Sequence, residues 1–369
     1  MRVFTISAPG APVAETSVLP VSLPATGFIW ISCTRTEFER ELGLIQACLQ
    51  NLCGTQIVEL HVSDLLNNHL PSHYDYTSQY DMLVFRRLAA TLDDPAPGPD
   101  GTAPPPAHPA QVLKRIDTSP VGFAIFDRLL LTVHPDDCAV RDAYAARLLS
   151  AAAPDTRMAT GTRLPASPAD LMLRIVNQMV DGYLDLRREL SRQLDHWQKE
   201  LLQPRSRFNH WAALMEARLS LHQLDEICED QRSAAQDWID SLETWPDPAT
   251  PAAQRERDLL KVRSRDVLEH IERVIHHVQR LEQNAETAVQ MHFSAQSNRT
   301  NDIMRTLTAL TAVFLPLNLI AGIFGMNFEF IPLLHKQGGF WIAVGAMVVI
   351  ATVLILVFWR KRYLARTRG

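Results

Sequence analysis

Short apolar runs alternate with helical patterns in the first part of the chain. Runs rich in β-branched and aromatic residues, which are typical of strands, lie at residues 1–7, 28–32, 57–62 and 80–88, and as a pair around 127–128. Apolar residues recur every three or four positions after Thr34 and again after Asp136, which predicts a helix in each place. This order of elements predicts a compact α/β domain over residues 1–160.

Helical spacing dominates from Pro168 onwards. Two segments between residues 167 and 250 repeat apolar residues every three or four positions, and WPDPATPAAQ ends the second. A third helix is predicted from Pro251, because proline is tolerated in a first helical turn. If this helix continues to Met326, it spans about 76 residues, or roughly 114 Å at 1.5 Å per residue. Such a length suits a stalk over residues 251–306 that leads into a membrane.

Two uncharged apolar segments close to the end are each long enough to cross a bilayer. Residues 307–327 and 340–359 each match a hydrocarbon core of roughly 30 Å, and a short extracytoplasmic loop, residues 328–339, joins them. Arg299 and Arg305 precede the first segment, and a basic tail over residues 360–369 follows the second. The positive-inside rule therefore predicts an integral membrane protein with both termini in the cytoplasm.

The first apolar segment carries a mixed polar face, whereas the second is apolar all round apart from Thr352 and suits lipid. Residues at steps of three and four share one side of a helix, and here they are Asn301, Met304, Thr308, Thr311, Leu315, Asn318 and Gly322. One interpretation is a seam between helices, in which Thr and Asn form hydrogen bonds and Gly allows close approach. The other is a pore wall, which requires an oligomer because two spans cannot enclose a pore.

Composition excludes several other classes of protein. The net charge of −5 argues against a nucleic-acid partner, and the five scattered cysteines fit a reducing compartment and form no zinc framework. The N-terminus lacks the apolar core of a signal peptide. Residues 93–111 are dense in Pro and Gly and predict a disordered loop. The chain contains no HExxH, GxSxG, GxGxxG or Walker-type motif, so we expect neither an enzyme nor a bound cofactor.

Some polar residues outside the apolar segments are candidate ligands. His69 and His73 with Asp75 have metal-ligand spacing, but Pro71 disfavours a helix, so a surface loop is the favoured interpretation. For the stalk histidines, a solvated or inter-helix role is favoured; they are His276, His277 and His292. An acidic stretch predicts a solvated helix face, with a cation reservoir as the alternative; it contains Asp225, Glu226, Glu229 and Asp230.

The segment NDIMRTLTALTAVFLPLNLIAGIFGMNFEFIP, which begins at Asn301, closely resembles the CorA family of divalent metal-ion transporters. Gly325-Met326-Asn327 matches that family's GMN signature at its usual place after the first span. Pro316 and Ala321-Gly322 match as well, and a second apolar span with a basic end follows. The rest of the chain agrees with the family in plan only.

The resemblance implies a funnel-shaped homopentamer: an α/β cytoplasmic domain, a long α-helical stalk and two transmembrane helices in a bacterial inner (plasma) membrane. It implies influx of divalent cations, most often Mg²⁺ with Co²⁺ or Ni²⁺ and in a subgroup Zn²⁺, driven by the membrane potential. Its pore positions fall on Asn301, Met304, Leu307, Thr308, Leu315, Asn318 and Asn327. Most of these already share the helix face found from spacing.

We expect the carboxamides of Asn327 and Asn318 to form two neutral rings that bind the metal, roughly 13 Å apart along a helix. Gly325 lets the backbone turn closely at the mouth, and Met326 packs to hold the loop. Apolar constrictions suited to gating by dewetting are expected from Met304, Leu307 and Leu315.

Two positions depart from the family pattern. The loop has Leu333 where many members have Glu, which leaves Glu329 as its sole carboxylate and weakens cation capture. Gln290 stands where some relatives have a metal-sensing carboxylate. These departures leave open a Zn²⁺ carrier coupled to protons. A hypothesis of another class is a membrane-anchored, non-conducting scaffold, because the polar face also suits a helix seam.

Overall fold

The computed structural model describes residues 1–7, 13–87, 89–90, 116–136, 139–152, 164–202, 211–246, 248, 250–326 and 338–360. The chain forms two compact units, Met1–Glu286 and Thr287–Gly369. The predicted disordered loop at residues 93–111 lies outside the described residues, as do Asn327, Glu329, Leu333 and the tail beyond Arg360.

A seven-stranded sheet organises the first unit, in the order β2-β1-β3-β9-β8-β5-β4. Only the pair β3–β9 is parallel, and the other neighbours run antiparallel. Its strands are β1 (Arg2–Ile6), β2 (Ala14–Thr16), β3 (Phe28–Thr34), β4 (His73–Tyr76), β5 (Asp81–Arg86), β8 (Pro120–Ile125) and β9 (Leu129–His134), and a separate two-stranded ladder comprises β6 (Ala89–Ala90) and β7 (Ile116–Asp117). The strands predicted around residues 1–7, 28–32, 80–88 and 127–128 are thereby confirmed.

Helices contact the central strands of this sheet, whose residues are buried on both faces. Helix α1 (Arg35–Cys53) contacts β3 and β9, and α2 (Glu59–Leu66) contacts β5 and β8. Helix α4 (Pro168–Leu202) contacts β3, β8 and β9, α5 (Trp211–Thr244) contacts β4 and β5, and α3 (Ala139–Ala152) packs on α4. Burial on both faces explains why β3, β8 and β9 are continuous apolar runs rather than alternating ones.

Local sequence signals fix both ends of α1. The Thr34 hydroxyl accepts a hydrogen bond from the Glu37 backbone N–H at 3.2 Å, and the Glu37 carboxylate accepts one from the Thr34 N–H at 2.9 Å. This reciprocal pair is a capping box. At the other end Gly54 has φ of 74°, a left-handed conformation that glycine adopts without steric cost.

The strand predicted at Ile57–Val62 is wrong, because Glu59–Leu66 forms helix α2. Apolar and polar residues alternate over Val58–Val62, a window too short to separate a strand period from a helix period. Over the longer window the buried residues are Ile57, His61, Val62 and Leu65, which is helical spacing, while Leu60 is 66% exposed.

Polar contacts tie the long helices of the first unit to one another. The buried Asp170 carboxylate accepts hydrogen bonds from Arg174 of the same helix and forms an ion pair with Arg263 of α6 (Pro251–Phe324). The Trp238 indole N–H donates to the Ser264 hydroxyl at 2.9 Å, which joins α5 to α6. The two long helices expected between residues 167 and 250 are therefore present and packed.

Helix α6 begins at Pro251, as predicted, and runs for 74 residues with Pro316 inside it. It ends at Phe324, two residues before the predicted end. Helix α7 (Gly339–Arg360) has 22 residues and contains the second apolar segment. Both helices are long and apolar enough to cross a membrane.

Candidate functional site

The predicted pore face of α6 is exposed along its whole described length. Polar and apolar members alike face away from the rest of the chain, and Met304, Leu307 and Leu315 are 59%, 57% and 66% exposed. The other exposed members are Asn301, Thr308, Thr311, Asn318 and Gly322. Exposure of large apolar side chains at this spacing calls for cover by lipid or by further protein.

Two hydroxyls on this face have a fixed hydrogen-bond orientation. The Thr308 hydroxyl donates to the Met304 carbonyl at 2.7 Å, and the Thr311 hydroxyl donates to the Leu307 carbonyl at 2.9 Å. A hydroxyl has one proton to donate, and here the backbone takes it. The outward surface of each oxygen therefore offers only lone pairs, which accept hydrogen bonds.

The face carries no charge from Asn301 to Gly322. Charged side chains occur beside its beginning, where Arg305 and Asp302 approach to 3.9 Å and are each 64% exposed. An exposed pair at this distance is weak. The face therefore offers amide and hydroxyl oxygens to a cation, not carboxylates.

Two glycines near the end of α6 meet different surroundings. A Cβ on Gly322 would meet no atom of this chain within 4 Å, so the surface there is open. A Cβ on Gly325 would lie 3.0 Å from the Ala321 carbonyl oxygen, which already accepts the Gly325 N–H at 2.9 Å. Glycine at position 325 thus permits the close turn that follows the helix. Met326 is 48% exposed.

The surface of α7 differs in chemistry from that of α6. Its exposed side chains are apolar apart from Thr352 and the terminal Arg360, and they include Trp341 and Trp359 close to its two ends. The Thr352 hydroxyl donates to the Val348 carbonyl at 2.7 Å, which satisfies its proton within the helix. This surface suits contact with lipid, with tryptophan at the interfaces.

The other candidate ligands form no metal centre. Among the residues that the structure describes, no group of three His, Cys, Asp or Glu side chains could hold a metal ion. His73 and Asp75 lie in strand β4, not in the predicted loop, and Asp75 contacts the His61 imidazole at 3.1 Å. His277 hydrogen-bonds Ser191 of α4 at 3.3 Å, which is the inter-helix role expected of it.

Sequence reasoning missed the partners of His61. Its Nδ1 lies 2.8 Å from the Tyr80 hydroxyl, and its Nε2 contacts Asp75. His61 belongs to α2, Asp75 belongs to β4, and Tyr80 directly precedes β5, so no local spacing along the chain predicts their contact. Because a strand was predicted at Ile57–Val62, the spacing did not place His61 on the buried face of a helix.

A family model described as CorA-like Mg²⁺ transporter protein matches residues 105–362, well over half of the chain. The chain belongs to the CorA family. Family membership and the two apolar helices of suitable length identify an integral membrane protein. The family membership that the GMN segment suggested is thus confirmed.

Among curated proteins, the "Cobalt/magnesium transport protein CorA" of Thermotoga maritima is 26% identical over 194 residues, which cover 53% of this chain and 52% of that protein. This CorA chain thus spans about half the length of that relative. The protein of the same name from Methanocaldococcus jannaschii is 26% identical over 251 residues, or 68% of this chain and 73% of its own. A "Putative metal ion transporter YfjQ" of Bacillus subtilis is 40% identical over 70 residues, 19% of this chain and 22% of that protein.

Solved structures show the same fold. The complete CorA magnesium transporter from Methanocaldococcus jannaschii superposes with a TM-score of 0.69 at 18% identity, covering 98% of both chains. The full-length CmaX protein superposes with a TM-score of 0.64 at 16% identity, covering 98% of this chain and 97% of its own. The predicted plan, a soluble α/β domain followed by a long helix and two apolar C-terminal helices, is confirmed.

Proposed function

We propose that this chain forms a homopentamer that conducts divalent metal ions, foremost Mg²⁺, into the cytoplasm of a bacterium. In this proposal the C-terminal part of α6 lines the pore and α7 faces lipid. The exposed, uncharged face of α6 from Asn301 to Gly322 carries the proposal. Five copies would turn that face inwards and so cover its apolar side chains.

The oxygens of this face suit an ion that keeps its water. Mg²⁺ dehydrates reluctantly and commonly retains several water ligands, whose hydrogens point outwards. The hydroxyl oxygens of Thr308 and Thr311 can accept hydrogen bonds from these waters, because each hydroxyl already donates its own proton to a backbone carbonyl. Neutral acceptors bind a hydrated divalent ion without trapping it, and conduction needs binding of moderate strength.

Two asparagine amides would add acceptors at two levels of the proposed pore. Asn318 would supply a ring of acceptors within the membrane, and Asn327 of the GMN segment a second ring at the mouth. Glu329 would add one ring of negative charge outside it, which favours cation capture. Met304, Leu307 and Leu315 would be the apolar constrictions that close the path by dewetting.

The membrane potential can supply the driving force. A divalent cation that crosses a potential of 100 mV gains about 4.6 kcal/mol, at about 2.3 kcal/mol for each charge. Inward movement therefore needs no nucleotide site, in keeping with the absence of a Walker-type motif from the sequence.

Ion flux into proteoliposomes tests this function. Purified full-length protein is reconstituted, an inside-negative potential is imposed, and uptake of Mg²⁺, Co²⁺, Ni²⁺ and Zn²⁺ is compared with and without a proton gradient. The proposal predicts potential-driven Mg²⁺ uptake that is independent of the proton gradient. Zn²⁺ uptake without Mg²⁺ uptake, dependent on protons, would replace the proposed substrate. No flux from a folded oligomer would favour the scaffold.

A further inference from the structure

The first unit contains a cavity of about 960 Å³ that the transport proposal does not use. The β4–β5 hairpin forms one side of this hairpin cavity, and the end of α5 and the start of α6 form another. Its volume lies near the top of the range for sites that hold organic ligands.

Aromatic rings form part of its wall. Tyr74 and Tyr76 stack with their ring centroids 6.3 Å apart, and Trp245 packs edge-on against Trp238 at 5.9 Å. Tyr80 is 4% exposed, and its hydroxyl hydrogen-bonds His61. The cavity therefore presents aromatic surface held in place by neighbouring side chains.

Negative charge dominates the lining. The described lining residues include six carboxylates, those of Asp75, Asp81, Asp127, Asp237, Asp240 and Glu256. Arg257 is the one cationic side chain among them, and its guanidinium donates to the carbonyls of Leu242, Glu243 and Pro246 at 2.9, 3.2 and 3.3 Å. That charge is thus directed at the backbone of the last turn of α5 and of the segment that follows it.

The carboxylates differ in whether they already have a hydrogen-bond partner within the protein. Asp75 contacts His61, and Asp81 accepts a hydrogen bond from the Tyr74 hydroxyl at 2.6 Å. Burial raises the pKa of Asp81, and the negative charge of nearby Asp127 adds to this rise despite the bond from Tyr74. An incoming cation would relieve this repulsion.

The spacing of these groups disfavours a metal ion. No three carboxylate, imidazole or thiolate groups of the described chain come close enough together to hold one. Separated carboxylates instead suit a ligand with several separated positive charges. Aromatic faces attract organic cations, and they pack well against the methylene groups between those charges.

We propose that the hairpin cavity binds an aliphatic polyamine, with its ammonium groups on the carboxylates and its methylene chain along the tyrosine and tryptophan rings. This site is independent of the proposed transport function, because its residues all belong to the first unit. Polyamines and Mg²⁺ are both cations that bind anionic groups. A polyamine-binding site in a cytoplasmic domain would therefore make the protein responsive to the concentration of polyamines.

Equilibrium dialysis of the full-length protein against radiolabelled spermidine, in a neutral detergent, tests the proposal. We expect saturable binding of one spermidine per chain, weaker at higher salt because exposed charges are screened. Butylamine, which carries one charge, should not displace spermidine at equal concentration. Displacement by Mg²⁺ as effective as that by unlabelled spermidine would overturn the polyamine assignment.

A pair of double variants locates the site. Asp237→Asn with Glu256→Gln removes two cavity carboxylates, and we expect roughly tenfold weaker binding, in line with two partly exposed charge contacts. Asp258→Asn with Glu272→Gln removes the same charge from exposed positions of α6 that do not line the cavity. This control should bind spermidine like the wild type. Equal weakening in both double variants, or no saturable binding at all, would refute the site whatever the flux assay shows.

Discussion

At the scale of single residues, the orientation of a threonine hydroxyl decides what a hydrated ion meets on the predicted pore face. Thr308, Thr311 and Thr306 all donate to a carbonyl one turn earlier, at 2.7, 2.9 and 2.9 Å. Only the first two belong to the face that spacing singles out. Thr306 therefore serves as a control, because it forms the same kind of backbone hydrogen bond but lies on another face of the helix.

We predict that Thr308→Val and Thr311→Val each lower Mg²⁺ flux about two- to tenfold, as when the hydrated ion loses about one hydrogen bond of ordinary strength to the ring of five hydroxyls. Valine keeps the shape of threonine and removes the oxygen. Flux into proteoliposomes measures the effect, and Thr306→Val should match the wild type. A loss of flux in Thr306→Val equal to that in the other two would show that the hydroxyls act through helix stability instead.

A second residue-scale prediction concerns the buried carboxylate of Asp170, whose side chain is 5% exposed. Asp170→Ala removes the carboxylate shared by Arg174 and Arg263, whose side chains are 22% and 35% exposed. We therefore expect the free energy of unfolding to fall by about 2 kcal/mol, less than when a fully buried ion pair loses one member. Tryptophan fluorescence during urea unfolding of the full-length protein measures it. Asp258→Ala, at an exposed site, should change it little. Equal urea midpoints for Asp170→Ala and the wild type would mean that the contacts of Asp170 with Arg174 and Arg263 add no stability.

At the scale of elements, the sequence predicted well wherever one local signal was strong. The helical spacing after Thr34 predicted α1, Pro251 marked the start of α6, and the uncharged run after Arg305 marked the first apolar segment. Helix α2 was missed because the alternation of apolar and polar residues over Val58–Val62 is too short to separate a strand period from a helix period. The contact of His61 with Tyr80 and Asp75 depends on tertiary structure, so no reading of neighbours along the chain supplies it.

Gly322 allows a test of what covers α6. In the single chain a Cβ at this position meets open space, and the same holds at Gly345 of α7. We predict that Gly322→Leu disrupts the oligomer, because the added side chain collides with another copy. Gly345→Leu, on the helix assigned to lipid, should assemble like the wild type. Mass measurement of the detergent-solubilised protein by light scattering reads out both, and an intact oligomer in Gly322→Leu would argue against close packing at this face.

At the scale of the whole molecule, the two units contain different kinds of chemistry. The first unit buries its apolar residues around a sheet and contains the acidic hairpin cavity. The second unit exposes large apolar side chains on both of its helices. That contrast between the units is what composition along the chain predicted, since charges are dense before Arg305 and absent from both apolar segments.

Family and fold were accessible from the sequence because GMN follows an uncharged segment and precedes a second one. The number of copies and the conducted ion were not, because neither depends on a pattern within one chain. Asn327 and Glu329 lie outside the described residues, so their roles remain those that the resemblance implies. The proposed transport mechanism therefore depends most on Asn327.

The decisive measurement for the proposed pore is potential-driven Mg²⁺ uptake into proteoliposomes that contain Asn327→Ala. Thr352→Val is the matched control, because its hydroxyl is satisfied within α7. We predict uptake in the wild type and in Thr352→Val, and its loss in Asn327→Ala, since alanine removes the amide oxygens at the mouth. Undiminished uptake in an Asn327→Ala protein that is folded and oligomeric would contradict the proposed transport mechanism.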